Sequence, residues 1–335
     1  MKLYEDNGFL NFAEIVKIKT PFIFIVGARG IGKTYGGIKY AVTNNIKFML
    51  SRRTQKQADI ISQPELSPLK SPCDDLGINY TVKSIIPQCS GIFIEGELRG
   101  YTSALSTISN IRGFDSSDVD LWLYDEFIPE RHERQLRYEG EGFLNAYETI
   151  NRNRELKGRP PLKCVCMANS NDIGNPIFEV LDLITVAEKM QNKGQEVYIN
   201  QQRGITIIMP QNSPISNAKK DTALYNAVGS NSRFSEMAIE NAFEREACVH
   251  SKNLNEYRIL VSIGHVNIYE HKTLSEYYVS MHKSGTGAVY GTDPTSTLQF
   301  KTAFKYLLAA YVTDRICFEN THVKREFENF FSIGT

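Results

Sequence analysis

Five consecutive apolar residues, Phe22-Ile23-Phe24-Ile25-Val26, form the clearest element in the chain. A strand apolar at every position is one covered on both faces, as strands of a parallel sheet are. Residues 47–51, 121–124 and 164–168 repeat that character, and residues 205–209 close the series. Tyr80–Ile86 and residues 91–94 predict a hairpin inserted before the next core element, and residues 67–72, rich in Pro and Ser, a loop. Strands alternating with helical stretches predict an α/β domain with a mainly parallel sheet over residues 1–210. Residues 211–232 turn to Pro, Asn, Ser and Lys and read as a linker. A smaller α/β domain over 233–335 follows, with strands at 258–268 and 276–281, an amphipathic helix at 297–312, and a helix at Thr321–Phe331 capped by Thr321.

Length agrees with that division, since 335 residues exceed one domain of ordinary size. Lys and Arg together number 38 and Asp and Glu also number 38, so no global basic field favours passive coating of nucleic acid, and any DNA contact is local. No apolar run approaches bilayer-spanning length, and the first residues carry acids rather than a secretory signal, so the expectation is a cytosolic chain that does not engage a membrane. The six cysteines lack the C-x-x-C pairs of a zinc ribbon and read as reduced core residues, with Cys164 and Cys166 on one face of their strand.

The chemistry begins directly after the first strand. Gly27-Ala28-Arg29-Gly30-Ile31-Gly32-Lys33-Thr34 matches the P-loop pattern, in which glycines let backbone N–H groups wrap phosphates without an intruding Cβ. Lys33 then reaches the β- and γ-phosphates of ATP, the Thr34 hydroxyl binds Mg2+, and the helix that starts there turns its positive end toward the anion. Leu121-Trp122-Leu123-Tyr124-Asp125-Glu126 is an apolar strand ending in two acids. Beside a P-loop, Asp125 is the metal partner and Glu126 the group that orients and deprotonates attacking water. Asn169, at the end of another buried strand, is a candidate sensor of hydrolysis, with a plain turn-forming Asn as the alternative. Asn151-Arg152-Asn153-Arg154 reads by itself as a solvated helix face.

The P-loop, Tyr124-Asp125-Glu126-Phe127-Ile128, Asn151-Arg152-Asn153-Arg154-Glu155 and Cys164-Val165-Cys166-Met167-Ala168-Asn169 resemble, in this order, the motifs of the genome-packaging ATPases of phi-twenty-nine-like bacteriophages, relatives of the large terminases. The similarity is dense over residues 25–176 and thin beyond, although Ser235-Glu236-Met237 and the last helix also resemble the family. The resemblance implies an ASCE-type, RecA-like P-loop domain followed by an RNase H-like domain that is a vestigial nuclease. It implies a homo-pentameric ring at the portal of an empty capsid shell, in the cytoplasm of the infected host, driving double-stranded DNA inward and docking a structural packaging RNA. It makes Arg152 the finger that acts on a neighbouring subunit and Asn169 the residue coupling hydrolysis to movement. Arg112 then matches a basic interface residue, Arg29 a P-loop arginine of the family, and Lys56 a residue near a DNA-facing loop.

Two other readings compete. A terminase large subunit that also cuts DNA needs clustered carboxylates for two metal ions, yet residues 258–268 contain no acid, which leaves Glu270 with Asp293 and Asp314. An ATP-dependent DNA-binding adaptor that does not translocate needs the P-loop alone. The histidines show no metal-ligand spacing.

Overall fold

The apolar run Phe22–Val26 is strand β1 and sits inside a nine-stranded sheet, in a computed structural model whose chain divides into two units, Met1–Asp172 with Lys189–Glu244 and Ile173–Glu188 with Arg245–Thr335. The structure describes all residues except 112–114, 131, 132, 134, 135, 137, 170–172, 211, 212, 216–221, 224–226, 228–248, 250, 332, 334 and 335. Most of the expected linker, with Arg112 and Ser235-Glu236-Met237, lies outside the described residues.

The first unit holds β2 (Phe48–Arg52), β3 (Tyr80–Ile86), β4 (Cys89–Ile94), β5 (Glu97–Ala104), β6 (Leu121–Asp125), β7 (Lys163–Ala168), β8 (Val197–Asn200) and β9 (Ile205–Ile208). Their order is β3-β4-β5-β2-β6-β7-β1-β9-β8, parallel from β5 to β9 and antiparallel at both margins. Strand β7 lies between β1 and β6. The predicted hairpin is β3–β4, but β5, which carries no continuous apolar run, and the four-residue β8 are missing from the sequence reading. Residues 67–72 are not all loop, because Lys70–Leu76 is helix α4, with Pro72 in the first turn where its missing N–H is harmless.

Strand alternation gives the sheet two different faces. One carries Ile23, Ile25, Leu50, Leu123, Val165 and Met167, packed with α1 (Phe12–Val16) and α2 (Lys33–Thr43). The other is aromatic: Trp122 and Tyr124 stack on Phe143 of α5 (Glu139–Asn151), with ring centroids 5.4 and 6.1 Å apart. Cys164 and Cys166 share a face as expected, with sulfurs 3.6 Å apart, and all five described cysteines are buried and free. The same alternation splits the Arg52-Arg53 pair at the end of β2. Arg53 turns toward α5 and meets Glu139 through two hydrogen bonds of 2.6 and 2.9 Å, both side chains being essentially inaccessible.

In the second unit, α6 (Pro176–Val180) is fastened by Glu179 to Arg325 and Asn329, and Glu188 accepts from the Thr321 amide. These bonds explain why Ile173–Glu188 groups with the C-terminal residues rather than with the domain of residues 1–210. The sheet here has order β13-β10-β11-β12-β14, formed by β10 (Tyr257–Ile263), β11 (Val266–His271), β12 (Tyr277–Ser280), β13 (Ala288–Tyr290) and β14 (Ile316–Phe318). The expected strand over 258–268 is a hairpin, turned at Gly264, whose φ of 55° is one that glycine adopts without strain. The expected helix over 297–312 is two, Pro294–Ala303 and Tyr306–Val312, interrupted where Phe304 leaves helical geometry and stacks on Phe300. The last helix spans Thr321–Phe331 as expected, yet its cap is Asn320, whose side chain accepts from the Val323 amide at 2.9 Å.

The Arg53–Glu139 pair yields a stability prediction. Removing one member of a buried ion pair leaves the other charged without compensation, so Arg53→Ala is expected to cost about 3–5 kcal/mol, whereas Arg53→Met combined with Glu139→Leu costs less than half of that. Trp122 is the only tryptophan in the chain and lies on this face, so its fluorescence during urea unfolding reads the comparison directly.

Candidate functional site

Because β1, β7, β6 and β2 run parallel in adjacent positions, their C-terminal ends meet at one edge of the sheet. The register pairs Val26 with Ala168, Asp125 with Met167, and Ser51 with Tyr124, so Gly27, Asn169, Glu126 and Arg52 emerge side by side. Ligands of open α/β sheets bind at this edge.

The P-loop occupies it first. Gly32 caps α2 at φ 87°, a conformation L residues resist, and a Cβ on Gly27 would come within 2.8 Å of Ile31 and 3.2 Å of Pro210. Lys33 is the first residue of α2, and its buried ammonium donates to the carbonyls of Gly27 at 2.9 Å and Ala28 at 2.7 Å, and to Asn169 Oδ1 at 3.2 Å. Thr34 Oγ1 donates to Asp125 Oδ2 at 2.9 Å. Ala28 and Ile31 are buried, while Arg29 and Gly30 are exposed, and Arg29 pairs with Glu130.

Asp125 faces the α2 side by strand alternation and is almost wholly buried. Burial pushes its carboxyl pKa above the ordinary range, against the lowering effect of Arg52, Thr34 and Lys33. Glu126 leaves the strand at φ 55°, a left-handed turn that swings its half-exposed carboxylate aside from Asp125. Arg52, only 12% exposed, spans both acids, with one guanidinium nitrogen 2.9 Å from Asp125 Oδ2 and another on Glu126. Sequence reasoning passed over Arg52; its signal was an arginine closing a buried apolar strand, which becomes meaningful only once β2 is known to neighbour β6.

The structure therefore brings Lys33, Thr34, Asp125, Glu126 and Asn169 together, and Arg152 stands apart. It follows the last residue of α5 at φ 46°, one-third exposed, with Asp115 at 3.8 Å. Its neighbour Arg154 is buried and donates to the Val119 carbonyl and to Asp120, the residues that precede β6. This turn thus lies at the opposite edge of the sheet from Asp125, about 13–17 Å away by strand rise. The segment is not a solvated helix face: Asn151 and Arg154 are internal, and Arg154 is unsuited to reach another subunit. Lys56 is exposed on α3 (Gln55–Ile61).

A family model for podovirus DNA encapsidation proteins (Gp16) matches residues 4–286. The DNA packaging protein of Bacillus phage phi29 is 25% identical over 244 residues, which are 71% of this chain and 67% of that protein. Among solved structures, the viral genome packaging motor assembly of bacteriophage phi29 matches with a TM-score of 0.67 at 18% identity, over 98% of this chain and 99% of the other. The N-terminal domain of the phi29 DNA packaging ATPase matches with a TM-score of 0.50 at 23% identity, over 62% and 97%. At these identities the structural likeness bears on the fold: a mixed α/β chain with a parallel-rich sheet.

Arg52 supplies a prediction with a definite sign. A carboxyl whose pKa is raised by folding opposes folding wherever the unfolded chain has already ionised it, so its penalty is absent below about pH 4, grows as pH rises above that and levels off above its folded-state value. Arg52→Ala removes the largest lowering influence on Asp125. In metal-free, nucleotide-free protein, the melting temperature of Arg52→Ala should therefore fall increasingly below that of the wild type as pH rises from about 4 to 7.

Proposed function

The chain belongs to the podovirus DNA encapsidation protein (Gp16) family and is a DNA packaging protein, and from that premise we propose that it works as an ATP-driven double-stranded DNA translocase. The observation that carries this reading is the convergence of Lys33, Thr34, Asp125, Glu126 and Asn169 at one sheet edge.

The donor set fits ATP with Mg2+. A Cβ at Gly27 would crowd Ile31 and Pro210, and Lys33, now resting on carbonyl oxygens of the loop itself, is the cation that would exchange them for phosphate oxygens. Thr34 and Asp125, already hydrogen-bonded to each other, are the pair that would hold Mg2+, whose charge would offset that of the phosphates. Glu126, at the rim and away from the buried Asp125, is the base for attacking water, and Asn169 joins Lys33 to the end of β7 as the sensor. Arg152, remote from its own P-loop, is best placed to reach a neighbour's γ-phosphate, which supports a ring in which each active site is completed by the next subunit.

Several wider assignments follow from the same reading. The first unit is the ASCE-type ATPase body, and the second is a nuclease-derived, RNase H-like module that no longer cuts. Support for the latter is the antiparallel meander β10–β11–β12 with β13 parallel beside β10; β14, outside β12, lies beyond that pattern. The acids a cutting site would need are employed elsewhere, Glu270 on Arg258 and Asp293 as the cap of the helix at Pro294, and among the described residues no three metal-ligating side chains cluster. The partners are double-stranded DNA, the portal of an empty capsid shell and a packaging RNA, the assembly is a homo-pentamer, and the setting is the infected cell's cytoplasm. Among the described residues no helix is long and apolar enough to cross a membrane.

ATP hydrolysis measured with and without double-stranded DNA and empty capsid shells tests the core of this reading, since a non-translocating adaptor would show no stimulation by DNA. Lys33→Ala should abolish nucleotide binding, whereas Glu126→Gln should bind nucleotide normally and lose turnover by about a hundredfold or more. Normal hydrolysis by Glu126→Gln would remove Glu126 from its role. Mixing Arg152→Ala with Glu126→Gln protein should restore part of the hydrolysis that each lacks alone, because only a mixed interface pairs an intact finger with an intact base. The finger is expected to contribute about a thousandfold, so even a minority of productive interfaces is measurable. A mixture that stays inactive despite verified co-assembly refutes action between subunits.

A further inference from the structure

The first residues of the chain close a tight turn against the P-loop. Tyr4 and Leu10 face each other in an antiparallel bridge, and between them the Glu5 amide donates to the Phe9 carbonyl at 2.8 Å and the Gly8 amide to the Glu5 carbonyl at 3.0 Å. Leu3 and Leu10, both buried, hold the turn to the core, and the Gly8 carbonyl accepts from Ser213 Oγ at 3.3 Å. From this frame two contacts reach the P-loop. The Leu10 amide donates to the Ile31 carbonyl at 3.0 Å, and the Phe9 ring lies so close to Gly32 that a Cβ there would be 3.0 Å from Cδ1. Phe9 is 37% exposed, so core packing alone does not account for its place.

Both contacts fall on the link between Ile31 and Gly32. A peptide is planar and trans, so its carbonyl and its N–H point in opposite directions. Holding the Ile31 carbonyl toward Leu10 therefore turns the Gly32 N–H to the other side, where the amides that wrap a phosphate have to point. This peptide needs such a hold. Gly32 stands at φ 87°, and glycine accepts either sign of φ at little cost, so the residue itself does not prevent a flip that would turn a carbonyl toward the anion. We propose that the N-terminal turn braces the phosphate site, with Phe9 and Leu10 as positioning residues that keep the Ile31–Gly32 peptide in its phosphate-binding orientation. The inference rests on the nucleotide-binding reading above. Neither residue has to touch the nucleotide. Their effect is the preorganisation of one amide donor toward a charged acceptor, and loosening that donor is expected to weaken binding about tenfold.

The test is equilibrium binding to the full-length chain of a fluorescent ATP analogue and, by competition, of inorganic tripolyphosphate, each with Mg2+. Phe9→Ala should weaken both ligands by the same factor, about tenfold, with little change in melting temperature in the absence of nucleotide. Phe9→Leu, which keeps apolar bulk against Gly32 and loses the aromatic ring, should bind both nearly as the wild type does. A backbone ester in place of the Phe9–Leu10 amide, which deletes the Leu10 N–H and leaves every side chain, should reproduce the equal loss. A loss confined to the ATP analogue, or shared by Phe9→Leu, would mark the ring as a platform for the base and overturn the proposal. Unchanged binding by both Phe9→Ala and the ester would overturn it as well, as would a loss that appears only with a fall in melting temperature. Failure of the wild type to bind either ligand would instead overturn the nucleotide-binding reading itself.

Discussion

Asp125 is the group around which the rest of the site is arranged. An ionised carboxylate taken almost completely out of water is costly unless hydrogen bonds and opposite charge surround it, and its raised pKa records how incompletely they do so. The compensation comes from two directions. Thr34 reaches it from the P-loop helix and Arg52 from the neighbouring strand β2, so the two acids ending β6 are tied to both sides of the sheet edge. A group that is expensive when alone and satisfied by a cation is well suited to hold a metal ion, and the same expense keeps Arg52 close when none is held.

The parallel sheet makes this convergence possible, and the alternation of side chains gives it depth. Arg52 and Arg53 are adjacent in the chain, yet one faces the acids of β6 and the other lies beneath the aromatic layer on Glu139 at the start of α5. Helix α5 then runs to Arg152 at the opposite edge. A single strand end thus touches the acids proposed to act in hydrolysis and the helix that presents the proposed finger. In the proposed ring, that covalent and electrostatic continuity is a physical basis for one subunit's nucleotide state to bear on the residue it would offer to the next.

The parts of the site legible from sequence are those whose chemistry is local. The P-loop is contiguous, it follows an apolar strand, and its glycines have a steric reason; Asp125 and Glu126 end an equally clear strand. What escaped depends on pairing between distant segments. Arg52 acquires its role from the β2–β6 register, and Glu130 meets Arg29 only because the P-loop lies opposite it. Strand β5 was hidden because its residues, Glu97-Leu98-Arg99-Gly100 among them, lack an apolar run and owe their place to β2. Arg154 looked solvated because a run of Asn and Arg is polar by composition, although its guanidinium is buried against the chain before β6. In the second unit, one glycine turn and one helix break decided the element boundaries, and both are set by tertiary packing rather than by periodicity.

DNA packaged into empty capsid shells, counted as the DNA that survives added nuclease, measures most directly whether this sheet edge powers translocation. With wild-type protein the account predicts protected DNA that appears only when ATP is supplied and increases as ATP is consumed; with Glu126→Gln, which retains nucleotide, it predicts none. Protection that arises without ATP, or that Glu126→Gln supports as well as the wild type, would contradict it.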